Sequence, residues 1–115
     1  MAMTESTFST SISFTDRWVV ALGGELDAGS KDSLLSLARS LSAQGDDAVD
    51  FDLAGVTFID NGGWSAVCRA AVTLRVGGAA SRIVNPSPVV RRLTDLIGDG
   101  RQVSGRYRTP LVPAA

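Results

Sequence analysis

F-I-D-N-G-G-W, Phe58 to Trp64, is the stretch on which the fold turns. An apolar run stops there at an acid, an amide and two glycines, and a tryptophan follows. Asn-Gly is a strong hairpin signal, but a hairpin needs period-two patterning on both sides of the turn. The residues after Gly63 read W-S-A-V-C-R-A-A-V, with alanines at 66, 70 and 71 and no alternation. That composition favours helix. The stretch therefore reads as a strand-to-helix junction in which Asp60 or Asn61 caps the helix.

Working outward, Ala48 to Leu53 is a strand with Val49, Phe51 and Leu53 on one face, and Ala54 to Ile59 continues it after a break. Asp50 and Asp52 share the other face. One of them is expected near the strand's exposed end, since a carboxylate buried between layers is costly. Upstream, Phe8 to Phe14 alternates as a half-exposed strand, Thr15-Asp16 is a turn, and Trp18 to Leu22 is a more buried strand that pairs antiparallel with the first. Leu34, Leu37, Ala38 and Leu41 form a helical stripe, with Asp27 or Ser30 as its cap and Gln44-Gly45 as its close. Downstream, helix runs from Trp64 to Val76 and stops at Gly77-Gly78, and Ser81 to Val84 is a short strand. Asn85-Pro86 is read as N-cap and first helical residue of a last helix, with Val89, Val90, Leu93, Leu96 and Ile97 as its stripe and Gly98 at its end. Val103 and Tyr107 fit a final short element. The order is β-β-α-β-α-β-α in one α/β domain over residues 7–108, with a flexible start at 1–6 and a tail at 109–115.

The chain has 115 residues and a net charge of -1, which gives no bulk electrostatic case for nucleic acid. Residues 1–60 carry ten acids against Arg17, Lys31 and Arg39, and residues 61–115 carry eight arginines against Asp95 and Asp99. The two halves therefore either neutralise each other in the fold or mark an acidic and a basic face. Cys68 is the one cysteine and there is no histidine. No intrachain disulfide, zinc site or histidine-dependent catalysis can be assembled, and no metal, no cofactor and no enzyme activity are expected. The start of the chain lacks the basic and apolar regions of a signal peptide, and no run is long enough to span a membrane. A cytoplasmic protein is expected.

Helix N-termini attract anions, so Asp60 to Gly63 admits either a phosphate cradle or a simple cap. Walker and dinucleotide fingerprints are absent. The segment D-L-A-G-V-T-F-I-D-N-G-G, residues 52–63, resembles the signature of the STAS domains, named for sulfate transporters and anti-sigma factor antagonists. G-E-L-D at 24–27 and V-N-P-S-P-V-V-R-R-L at 84–93 are similar to two further family segments in the same order. The resemblance implies a mixed sheet of four to five strands with helices mainly on one face. It also implies a module that binds a kinase-type anti-sigma factor, which phosphorylates a serine or threonine at this helix start and thereby ends binding.

The family's D-S-S-G falls on Asp60, Asn61, Gly62 and Gly63. The usual acceptor position is Gly62, so no phosphoacceptor is expected; Ser65 and Thr57 are nearby hydroxyls, Ser65 being the substitute. The implied partner surface is Asp27, Asp60, Asn61, Gly62, Gly63, Trp64 and Ser65. Trp64 is read either as core or as an exposed interface anchor. Cys68 is read as a small buried hydrophobe. Other roles the resemblance allows are a subunit of a transport or signalling complex and a nucleotide- or anion-binding sensor. An open strand edge also admits a homodimer.

Overall fold

A computed structural model describes residues 8–103 of the chain. The expected flexible start and tail, Tyr107 and the last residues of the predicted domain lie outside the described residues. The described chain forms four strands, β1 (Phe8–Phe14), β2 (Trp18–Leu26), β3 (Ala48–Ile59) and β4 (Ala80–Val84). Helices α1 (Lys31–Ala43), α2 (Asn61–Val76) and α3 (Pro88–Ile97) follow β2, β3 and β4, and short 3-10 turns cover Ala28–Ser30 and Gly100–Gln102. The sheet order is β1-β2-β3-β4. The β1–β2 hairpin is antiparallel, and the two helix crossovers make β2–β3 and β3–β4 parallel. This is the predicted mixed α/β order.

One apolar cluster joins sheet and helices. Val20, Leu22, Leu26, Phe51, Leu53, Leu34, Ala38, Val67, Ala71, Leu74, Ile83 and Val90 are all buried in it. Each such large side chain contributes about 1.5–3 kcal/mol of transfer free energy, so the helices are held by their apolar faces rather than by propensity. The alanines of α2 at 66, 70 and 71 are fully buried. Small residues there let α2 lie close to α1 and the sheet.

Three expectations are corrected. First, β3 does not break at Ala54-Gly55 but runs as one strand, with register shifts against β2 at Ala21/Gly23 and Gly24/Glu25. The strands touch closely there: a Cβ on Gly55 would lie 3.3 Å from Gly23 Cα. Second, neither Asp50 nor Asp52 reaches an exposed strand end; both are buried. Asp50 accepts hydrogen bonds from Arg82 Nε at 3.1 Å and Nη2 at 2.8 Å. Arg17 Nε lies 2.9 Å from Asp50 Oδ2, an ion pair without the alignment of a hydrogen bond. Asp52 accepts from the Ala54 N–H at 2.9 Å and from Asn85 Nδ2 at 3.1 Å. Third, the last helix starts two residues later than Asn85-Pro86 suggests, with Ser87 as N-cap and Pro88 in the first turn. Asn85 instead takes a left-handed φ of 52° while its amide serves Asp52, a conformation asparagine tolerates better than most residues. Leu96, placed in that helix's apolar stripe, is 77% exposed.

The acidic and basic halves of the sequence interleave at this point. Asp50 from the first half sits between Arg17 of β2's approach and Arg82 of β4, so at least part of the charge asymmetry is internal neutralisation.

Candidate functional site

The junction at Asp60 is built by close backbone approach. Asp60 has extended φ and ψ, and its Oδ1 accepts from the Gly63 N–H at 2.8 Å, which makes it the N-cap of α2. The Asp60 N–H donates to Leu26 O at 3.3 Å and the Trp64 N–H donates to Asp60 O at 2.9 Å. The first turn of α2 is thereby tied to the end of β2.

The two glycines have separate reasons. A Cβ on Gly63 would lie 2.2 Å from Leu26 O and 2.9 Å from Asp27 N, so only glycine fits against that backbone. A Cβ on Gly62 would meet Ala28 at 2.9 Å from its Cβ and 3.0 Å from its N. Ala28 opens the 3-10 turn that follows β2. That turn is itself capped: Asp27 Oδ1 accepts from the Gly29 N–H at 2.9 Å, and the Asp27 N–H donates to Ser30 Oγ at 3.2 Å. Asp27 and Ser30, read as alternative caps of α1, instead cap this 3-10 turn together, and Ser30 stands at the N-cap of α1 without a side-chain cap hydrogen bond.

The structure therefore brings Asp27, Asp60, Asn61, Gly62 and Gly63 to one end of the sheet. Asn61 and Asp60 are exposed, Asp27 and Gly62 half-buried, and Gly63 buried. Of the two readings of Trp64, the structure shows the core one. It is 3% exposed, and its indole Nε1 donates to Asp99 Oδ2 at 2.7 Å. Its side chain is turned away from the surface the other residues form.

Ser65 is exposed and lies at a groove of about 460 Å³ between α1 and α2, lined also by Leu35, Arg39, Cys68, Arg69, Val72 and Thr73. Arg39 and Arg69 were not singled out by sequence reasoning. The signal that would have found Arg69 is its position four residues after Ser65 on the same helix. Arg39 comes from the other helix, and no local pattern announces it. Ala28 was also missed, for the same reason.

The chemistry of the site is that of a surface. Asp60 occupies the α2 N-terminus, and Asp27 stands beside it, so a carboxylate already satisfies the end that an anion would seek. Cys68 is half-buried, and its thiol is pushed up to about 11 by burial first and the Asp99 carboxylate second, against a lowering by Arg75. It is a neutral thiol at physiological pH. Among the described residues no group of three or more His, Cys, Asp or Glu side chains converges, and no helix is long and apolar enough to cross a membrane.

Comparison with known folds agrees with this geometry. The anti-sigma factor antagonist SpoIIAA in its unphosphorylated form superposes with a TM-score of 0.69 at 20% identity, covering 87% of this chain and 90% of that one. The phosphorylated form of SpoIIAA, a Bacillus cell fate determinant, gives 0.63 at 20% identity over 87% and 93% of the two chains. An anti-sigma factor antagonist from Mycobacterium paratuberculosis gives 0.71 at 23% identity over 89% and 86%. No curated protein gives a significant sequence match. The family model of the STAS domain matches residues 9–104. The strand order, the capped glycine junction and this match together place the chain in the STAS domain family.

Proposed function

We propose that this protein is a non-enzymatic binding module, an anti-sigma factor antagonist that docks on a kinase-type anti-sigma factor through the start of α2. Its second property is that the kinase finds no hydroxyl there to phosphorylate. The observation that carries the reading is position 62. Glycine stands where the family's acceptor falls, and Ala28 packs over it closely enough to fill the space of a side chain. A phosphate adds about 1.5–2 negative charges and three acceptor oxygens to a contact surface; without an acceptor, that means of release is gone.

The contact surface is the exposed part of the junction, Asp27, Asp60, Asn61 and Ser65, with Gly62 as its floor. Gly63 and Trp64 act beneath it, by setting the approach of α2 to β2. Asp27 and Asp60 form its acidic part, and Arg39 and Arg69 form a basic one beside Ser65. Such a surface of both signs selects orientation and partner more than it adds raw affinity. The fold similarity to anti-sigma factor antagonists supports the partner class. The Asp60 cap weighs against the anion-sensor alternative.

The test mixes the purified protein with a kinase-type anti-sigma factor, isolates the complex and adds labelled ATP. The complex is expected to persist with no phosphate incorporated. Incorporation of phosphate, or release on adding ATP, overturns the non-switchable reading; absence of any complex with its own organism's kinase-type anti-sigma factors overturns the partner assignment.

A further inference from the structure

The outer faces of α1 and α2 carry almost one sign of charge. Lys31, Arg39, Arg69 and Arg75 are exposed there, and Asp32 is the only acid on either helix. Arg69 and Arg75 belong to the basic half of the sequence, and the Asp50 cluster does not neutralise them. Two of these cations stand on opposite walls of the groove between the helices, Arg39 from α1 and Arg69 from α2. Neither guanidinium takes part in an ion pair among the described residues. Between them the groove is apolar: Leu35 and Cys68 are half-buried, and Val72 is 49% exposed. Leu35 and Arg39 lie one turn apart on α1, and Ser65 to Val72 covers two turns of α2, so the groove is roughly 11 Å long.

We propose that this groove takes a helix of a protein partner, one whose apolar stripe is bordered by acidic residues on both sides. The stripe lies on Leu35, Cys68 and Val72, as an amphipathic helix lies in an apolar groove. Each wall then offers one guanidinium to a carboxylate, and such flanking pairs set partner choice and orientation when helices pack. The charges exclude a second copy as the occupant. Among the described residues α2 has no acid, α1 has Asp32 alone, and α3 sets Asp95 against Arg91 and Arg92. Nucleic acid fits less well, because it is held by rows of cations along its backbone and has no use for an apolar strip. The groove adjoins Ser65, so the inference deepens the proposed docking reading and rests on it for the partner's identity. What it adds is the chemistry of the element that the partner presents.

The test titrates the full chain with a synthetic helical peptide of about 20 residues, followed by amide NMR shifts over about 1 µM to 1 mM. The peptide has leucine at i, i+3, i+4 and i+7 spacing with glutamate on both flanks. A second peptide has lysine in place of every glutamate. The parent is expected to bind the glutamate peptide at least tenfold more tightly than the lysine peptide, with the largest shifts at Leu35, Arg39, Cys68, Arg69 and Val72. The preference should shrink at high salt. In the double variant Arg39→Glu, Arg69→Glu, both at exposed positions, the preference is expected to reverse, and circular dichroism checks that it folds. A parent that ignores the glutamate peptide, or binds both peptides equally, overturns the proposal. So do shifts that map away from the groove, or a double variant that keeps the parent's preference. The anti-sigma factor is absent from this titration, so the two readings fail separately: a failed titration beside an intact complex with the anti-sigma factor sinks the groove alone.

Discussion

Replacing Gly63 with alanine tests the close approach that shapes the candidate site. The added methyl carbon would stand 2.2 Å from Leu26 O, 2.5 Å from Leu26 C and 2.9 Å from Asp27 N. All three are backbone atoms, so no side chain can swing aside. Reaching an ordinary contact requires the first turn of α2 to lift from β2 by roughly 1 Å. Overpacking of this kind costs about 1–3 kcal/mol, and this backbone-on-backbone case belongs at the upper end. The Asp60 N–H to Leu26 O bond, already 3.3 Å long, is lost with the lift, at about 1 kcal/mol. Against this, alanine gains about 1 kcal/mol of helix propensity over glycine. The net loss is about 3 kcal/mol, a large share of the roughly 5–15 kcal/mol that holds a domain folded. For a chain of this size that corresponds to a fall in Tm of about 10–15 °C. Urea unfolding followed by circular dichroism measures it. Gly100→Ala is the control, because its nearest neighbour would be Asp95 Oδ1 at 3.8 Å, and it should change stability by less than about 0.5 kcal/mol. A Gly63→Ala protein within 1 kcal/mol of the parent would refute the argument that the junction depends on this contact.

Asp50→Ala should destabilise the protein by about 3 kcal/mol in urea, the low end for a broken buried pair, since both arginines can reach water; an unchanged midpoint would show that the pair is not holding the three strands. Cys68 should alkylate with iodoacetamide at pH 8 about a hundredfold more slowly than a free thiol of pKa 9.0, because a thiol at about 11 exposes that much less thiolate. Burial favours its neutral form, so the contribution of Cys68 to stability is complete below pH 9 and is lost as the pH rises towards 11; a reaction rate equal to that of a model thiol would contradict this. Gly62→Ser should cost about 1–2 kcal/mol through its contact with Ala28, and Ala28→Gly should return part of it in a double-mutant cycle. If the junction faces a kinase, that double variant should become phosphorylated and dissociate on addition of ATP, and a complex that persists unphosphorylated would count against a kinase at this surface.

The features legible in the sequence were those with a local cause. Periodicity gave the seven main elements in order, and F-I-D-N-G-G-W was readable as a junction because the residues on its two sides obey different periods. The missed features have causes far away in the chain. Asp50 looked too polar for a central position because its partners are distant in the chain, Arg17 just before β2 and Arg82 in β4. Asn85 looked like a cap, yet its amide is committed to Asp52, and Ser87 takes the helix start. Trp64 could be read two ways until Asp99 supplied the acceptor that lets an indole be buried. At the candidate site, Asp60 and the two glycines were legible as types, whereas Ala28, Arg39 and the groove beside Ser65 exist only once α1 and α2 are packed.

The bond from Trp64 to Asp99 makes the site mechanically continuous with the far edge of the sheet. Asp99 begins the short turn Gly100–Gln102, and that turn delivers Val103 to its bridge with Ile83. Whatever tilts the first turn of α2 must stretch this tether, and whatever loosens the strand at Val103 slackens the seat of the indole. The protein therefore carries its own optical strain gauge: the emission of a buried, carboxylate-bound tryptophan directly beneath the surface where a partner would press.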